Sequence, residues 1–388
     1  MMASGTSPSS LPRQVPKLGH KKSMFGCQRC RQRRVKCNEA KPICHNCKRH
    51  GLPCVYDRDA SVKSYRKSST PRLSPSALEE NDPPESRVRR MIETKLMHQY
   101  LVETGSSIAA DDQTRGMFAR EVPRLSFDSD ALLYSMYTVS AMHFAKLGKN
   151  DELADGAVNA ASKYFSMAVR EHNKEVSQVS RATADLVCLT SCLMRIIALV
   201  QLQGRSRQPW QWLALAQTST STFIDALDRV GPDPNSAAYK LIQGTAHLHV
   251  RGKLPNRKMY QRLQYLMERP EKLRATEHWD SEIQVAYERV LEYICTALGL
   301  MDKEGPSGNV FRMLLIFPML VDRRFVELVQ TEVPRARVIL AHYFALLVQF
   351  DHIWWIGDVG ANEVRTVASE VPDEWQGMLV WPLKIIEK

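Results

Sequence analysis

Apolar residues along this chain follow two regimes. From residue 88 to the C-terminus they recur every three or four positions, the period of a helix with one buried face. Asp128, Ser129 and Asp130 offer N-caps to the run LLYSMYTVSAMHFAKL, which predicts a helix. Asp151 is expected to open another, with Ala154, Ala157, Val158, Ala161, Tyr164 and Phe165 on one face. Further helices are predicted over 181–203, 210–229, 236–249, 257–267, 280–302, 321–331 and 334–356. Gly204, Pro209, Gly231, Pro255, Gly305 and Pro334 mark the breaks. No run alternates in the manner of a strand. The expectation for 88–388 is an all-α body of about ten helices.

Residues 1–87 lack that periodicity. Residues 1–23 and the linker 58–87 are rich in Ser, Pro and Lys, and both are expected to be disordered. Between them, 24–57 form a separate small module. Just past the linker, Val88, Ile92 and Leu96 make an apolar stripe, but it spans barely two heptads, too short for a coiled coil. The most apolar run, Leu186 to Leu202, contains Arg195, Thr190, Ser191 and Gln201. It reads as a buried core helix and not as a membrane insertion.

Charge separates the same regions. Residues 1–72 carry 17 Lys or Arg against 3 Asp or Glu, while the remainder carries 36 against 39. A basic head on a near-neutral body suits nucleic-acid binding by the head alone. The first twenty residues hold no apolar core of a secretory signal, which predicts a reducing compartment. With the basic residues Lys21, Lys22 and Arg29 to Lys36, it also predicts the nucleus.

Six of the nine cysteines lie at Cys27, Cys30, Cys37, Cys44, Cys47 and Cys54, almost a twofold repeat of Cys-x2-Cys-x6-Cys. In a reducing compartment such clusters hold metal more readily than disulfides. Thiolates favour zinc in tetrahedral sites. Six sulfurs supply the eight positions of two zinc ions if two of them bridge. So short a segment buries little core, so metal binding and folding are expected to be one event. The Lys and Arg residues inside the cluster serve no structural knot; they suit a surface that neutralises phosphates.

Cys-Arg-x-Arg-Arg-x-Lys-Cys at 30–37 and Lys-Pro-x-Cys at 41–44 resemble the fungal zinc binuclear cluster, the Zn2Cys6 or Gal4-type DNA-binding domain. Asn38 departs from the family, which often has Asp there. The resemblance implies a small irregular module with two short helices, one after each of Cys27 and Cys44, with Pro42 shaping the loop between. It implies that Cys27 and Cys44 bridge two zinc ions. It also implies that a helix through Arg31 to Lys36 enters the major groove of double-stranded DNA at CGG-type sites. Arg33 and Arg34 then sit at base-reading positions, since the arginine fork matches guanine O6 and N7. Arg31, Lys36, Lys48 and Arg49 read as phosphate contacts that fix register. Lys63, Arg66 and Lys67 extend that basic track.

A second resemblance lies in the body. The stretches at 95–105, 122–147, 337–360 and 374–382 look like the fungal regulatory domain of sterol uptake control proteins, an architecture also found in regulators of secondary-metabolite gene clusters. It implies a helical domain that forms a homodimer or takes a small-molecule ligand such as a sterol. His342, His352, Trp354 and Trp355 are candidates for a ligand pocket or, preferably, for the aromatic core. Cys188 and Cys192 share a helix face and read as core, as does His143. No Gly-rich phosphate loop, Gly-x-Ser-x-Gly elbow or His-Glu-x-x-His motif is present, so no enzyme is expected. The chain reads as a transcription factor of RNA polymerase II genes, an activator of a metabolic or secondary-metabolite pathway. Alternatives are a sterol- or metabolite-responsive regulator, or an accessory protein whose zinc module makes protein contacts.

Overall fold

Sulfur, not hydrocarbon, fills the centre of the N-terminal unit. The computed structural model describes residues 25–56, 86–109, 111–204, 208–246 and 261–387. The expected disordered N-terminus, nearly all of the linker and its basic track, and part of the helix expected over 257–267 lie outside these residues. The chain divides into two units, Met1–Pro83 and Pro84–Lys388.

In the first unit, helices α1 (Gln28–Gln32) and α2 (His45–Arg49) start at Cys27 and Cys44 and end alike. Val35 N–H donates to the Cys30 carbonyl and Arg34 N–H to that of Arg31, both at 3.1 Å. The equivalent bonds in the second half run from Leu52 to Cys47 at 3.1 Å and from Gly51 to Lys48 at 3.4 Å. This closing turn requires a left-handed residue just past the helix cap. Gly51 fills that position with φ 59° and Arg34 with φ 55°. The sequence repeat is therefore a repeat of backbone. It also corrects one expectation: the helix does not run to Lys36. It stops at Gln32, because the chain must reverse to bring Cys37 back to the other sulfurs.

The second unit is built of helices joined by turns, with no strand among the described residues. Helix α3 (Arg87–Gln99) is capped by Ser86, and its Ile92 and Leu96 are buried in the unit's own core, whereas Val88 and Met91 are exposed. Two of the three residues of the expected stripe, Ile92 and Leu96, thus pack inward, and Val88 does not. Ser129 caps α4 (Asp130–Lys146), its hydroxyl accepting from Leu132 N–H at 3.1 Å. Helix α5 (Ala157–Val176) begins six residues later than expected from Asp151, because Asn150 Oδ1 accepts from Ala157 N–H at 2.9 Å and sets its start there. That shift leaves Ala154 and Val158 exposed and buries Ala157, Ala160, Ala161 and Tyr164.

Helices α6 (Ala184–Gln203) and α7 (Pro209–Val230) pack side by side, as do α4 and α5. By length and composition α6 resembles a membrane span, but most of it is buried in this core. Helices α8 (Ser281–Glu304), α9 (Gly308–Leu320), α10 (Arg323–Gln330), α11 (Pro334–Leu347) and α12 (Val359–Glu370) complete the main framework. The run expected to be helical to 356 turns out at Val348–Phe350. Helices α9 and α12 have no counterpart among the predicted elements. Helix α12 crosses α11 so closely that a Cβ on Gly360 would lie 2.6 Å from the Phe344 carbonyl oxygen.

A buried ion pair ties the C-terminal elements together. Arg335, fully buried, donates to both Glu277 oxygens at 2.6 and 2.8 Å, and to the carbonyls of Leu266 and Glu268. Its guanidinium lies about 5 Å from the ring centres of Trp279 and Trp375. With so many acceptors the buried charge is compensated.

Candidate metal centre and nucleic-acid interface

Five of the six clustered cysteines are buried, and Cys54 is half-buried. Their sulfurs form two overlapping tetrads: Cys27, Cys30, Cys37 and Cys44, then Cys27, Cys44, Cys47 and Cys54. Within each, all sulfurs lie within 4.8 Å of one another. A zinc ion with tetrahedral sulfurs at about 2.3 Å holds them about 3.8 Å apart. The Cys27–Cys44, Cys27–Cys47 and Cys30–Cys44 sulfurs are 3.7 Å apart. The donor set, its spacing and its burial fit two ions that share Cys27 and Cys44.

Backbone donors support the sulfurs. Cys27 N–H donates to Cys37 Sγ at 3.4 Å, and the repeat-related Cys44 N–H to Cys54 Sγ at 3.2 Å. Cys47 N–H donates to Cys44 Sγ at 3.3 Å. Burial pushes the Cys30 thiol up to about 12, helped by the neighbouring sulfurs. Burial opposes the Cys44 thiolate too, but the hydrogen bonds from Cys47 and the adjoining sulfurs outweigh it and bring that group down to about 6. Crowded thiolates of this kind need cations among them, which is what zinc supplies. Asn38 fills the place of the family's usual Asp: its Oδ1 accepts from His45 N–H at 2.9 Å, at the start of α2.

The basic residues surround this centre. Arg33, Arg34 and Lys36 are exposed on the turn and the extended stretch after α1; Lys48 and Arg49 are exposed on α2. Arg31 is half-buried and donates to the Gly26 carbonyl at 2.9 Å, so part of its fork faces the module's own backbone. Arg29, not among the DNA contacts expected from the sequence, is exposed on α1 beside them.

Residues 25–62 match the fungal Zn(2)-Cys(6) binuclear cluster domain. The Zn(2)-C6 fungal-type transcription factor afumD of Aspergillus fumigatus is 30% identical over 339 residues, covering 86% of this chain and 87% of that protein. The chain belongs to the fungal Zn(2)-C6 transcription factors. A Zn(2)-C6 fungal-type transcription factor of Gibberella zeae is 23% identical over 442 residues, 95% of this chain and 87% of its own. Sterol uptake control protein 2 of Candida albicans is 31% identical over 97 residues, 23% of this chain and 12% of its own. As a Zn(2)-C6 factor the chain is a zinc-binding, DNA-binding regulator and not an enzyme, and its six cysteines are positioned for two zinc ions.

The factor's body separates residues that the sequence placed together. His342 stacks on Trp381, with ring centres 5.5 Å apart, and bonds to Tyr265 Oη at 2.7 Å and the Val338 carbonyl at 2.8 Å. Trp354 stacks on His143 at 4.4 Å, and His143 bonds to Thr104 Oγ1 at 2.9 Å. Trp355 packs on Phe311 at 5.6 Å. These are core contacts. Of the four aromatic candidates only Trp355 lines the apolar cavity of about 310 Å³ between α6, α7 and α9. Cys188 is buried against Phe223 and Ala226, while Cys192 reaches the cavity wall.

Proposed function

We propose that this factor binds double-stranded DNA at CGG-type elements in the nucleus and controls RNA polymerase II genes of a fungal metabolic or secondary-metabolite pathway, as an activator. Cys27, Cys30, Cys37, Cys44, Cys47 and Cys54 hold two zinc ions, with Cys27 and Cys44 bridging. Arg33 and Arg34 read guanine edges; Lys36, Lys48, Arg49 and the outer part of Arg31 hold phosphates. The observation that carries this reading is the exposed Arg33–Lys36 stretch, held in place by the turn between two zinc-ligating sulfurs. A zinc module used for protein contacts has no need of such a stretch. Competition binding separates the two. A scrambled duplex should compete at least tenfold less well than a CGG duplex, and rising salt should weaken both. Equal competition would mean DNA binding without sequence reading, and binding to neither duplex would point to protein contacts instead.

A second reading concerns the body. The apolar cavity supports a domain that responds to a small molecule, and the same domain is proposed to dimerise. Deleting it should weaken binding to paired CGG sites more than to single ones. Unchanged site preference would mean a monomeric reader.

A further inference from the structure

Among the described residues, the apolar cavity of the body has one charged group without a counter-charge. Its wall is almost wholly hydrocarbon, from Ile196, Leu199, Trp212, Phe223, Leu315 and Trp355 among others, and no carboxylate lines it among the described residues. Two arginines reach it. Arg312 has a counter-charge: it pairs with Asp111 and donates to Asn309 Oδ1 at 2.8 Å, so that among the described residues only its Nε lacks an acceptor. Thr220 is committed, donating to the Ala216 carbonyl at 2.8 Å. Arg195 is not. Its Nη2 meets only Cys192 Sγ, at 3.0 Å, and its guanidinium lies 5.3 Å from the Phe223 ring centre. Its Nη1 is buried and has no hydrogen-bond partner among the described residues. Burial raises the Cys192 thiol above its ordinary value, so that sulfur stays protonated and brings no negative charge.

Arginine keeps its charge at any physiological pH, so the wall cannot neutralise itself by losing a proton. A buried donor with no acceptor is costly to leave, and an anionic oxygen gives it a short, charge-assisted bond. Apolar walls around one fixed polar group are the usual build of a small-molecule site. We infer that this cavity binds an amphipathic carboxylate, its apolar body against α6, α7 and α9 and its carboxylate on Arg195. At about 30 Å³ per water-sized group the space holds roughly ten such groups, the size of a medium-chain acid. The inference deepens the small-molecule reading above and rests on it only for any effect on DNA.

Octanoate and octanol test it, titrated calorimetrically into the full-length, zinc-loaded chain at neutral pH. Octanoate should bind at least tenfold tighter than octanol. Arg195→Met should remove that preference, weakening octanoate at least tenfold while leaving octanol within about twofold. Arg195→Lys should keep part of it. Equal affinities in the unaltered protein would overturn the inference even if the Met variant failed to fold, and so would a preference that survives Arg195→Met. Tight octanoate binding with no change in occupancy of a CGG duplex would uphold the site and reject the body as a sensor.

Discussion

The two units of this protein are held together by different means. The zinc module buries five cysteines and little else: Phe25, Val35, Ile43 and Val55 are all at least 40% exposed, and Leu52 and Tyr56 are only half-buried. The body buries a continuous core in which aromatic rings and aliphatic side chains from every main helix meet. A segment as short as the module cannot offset its chain entropy with hydrocarbon, so metal coordination takes the place of a core. The body has no such need. Metal and hydrophobic burial are therefore two different supports within one chain, and each is expected to be removable with the other left standing.

The largest contrast is expected on stripping zinc. A strong chelator, or Cys44→Ser, should unfold the module and abolish DNA binding, while the body keeps its helical circular dichroism and melting temperature. Loss of body structure together with zinc would join the two supports. The converse change is Glu277→Gln. It leaves the Arg335 charge buried without its carboxylate and should cost the body about 3–5 kcal/mol in urea unfolding. Zinc content and DNA affinity should be unaltered; a parallel loss of zinc would break the separation.

Acid should also act on the body through His342. Burial holds its folded value down to about 4, below the ordinary histidine value. As pH falls below about 6.5 the unfolded chain takes up that proton first, so stability drops between about 6.5 and 4, by up to about 1.4 kcal/mol per unit. His342→Gln should flatten that stretch of the pH–stability curve, and an unaltered slope would assign the sensitivity elsewhere. Smaller effects are expected at Arg34. Arg34→Ala should cost about 1–3 kcal/mol of binding and relax discrimination at guanine. Equal loss on all duplexes would make it a phosphate contact. Arg34→Gly should lose the same discrimination yet stabilise the zinc-loaded module by about 1 kcal/mol, because glycine takes a left-handed backbone without strain. A less stable module would show that Arg34 adds packing that outweighs its strain.

That strained arginine marks the edge of what the sequence discloses. Cysteine spacing announces the metal-binding character, and helical periodicity announces an all-α body, because both are local patterns. The end of α1 at Gln32 was hidden: Arg33, Arg34 and Lys36 look like good helix residues, and the cue was the internal repeat, which sets Arg34 opposite Gly51. Periodicity overextends helix α11, because the apolar run continues past Leu347 through Phe350, Trp354 and Trp355 with nothing in it to mark the turn. The burial of Arg335 and the uncommitted charge of Arg195 depend on residues distant in sequence, which no single-helix pattern reports. His342 and Trp354 lie close along the chain yet pack against different partners, Trp381 and His143.

The central claim is that two zinc ions shared by six sulfurs shape a sequence-reading surface. It is tested most directly by titrating zinc into the metal-free full-length chain while following the fluorescence anisotropy of labelled CGG and scrambled duplexes. Binding to the CGG duplex should rise with zinc and level off at two ions per chain, with the scrambled duplex far weaker throughout. Binding without zinc, a plateau at one ion, or equal curves for the two duplexes would contradict the account.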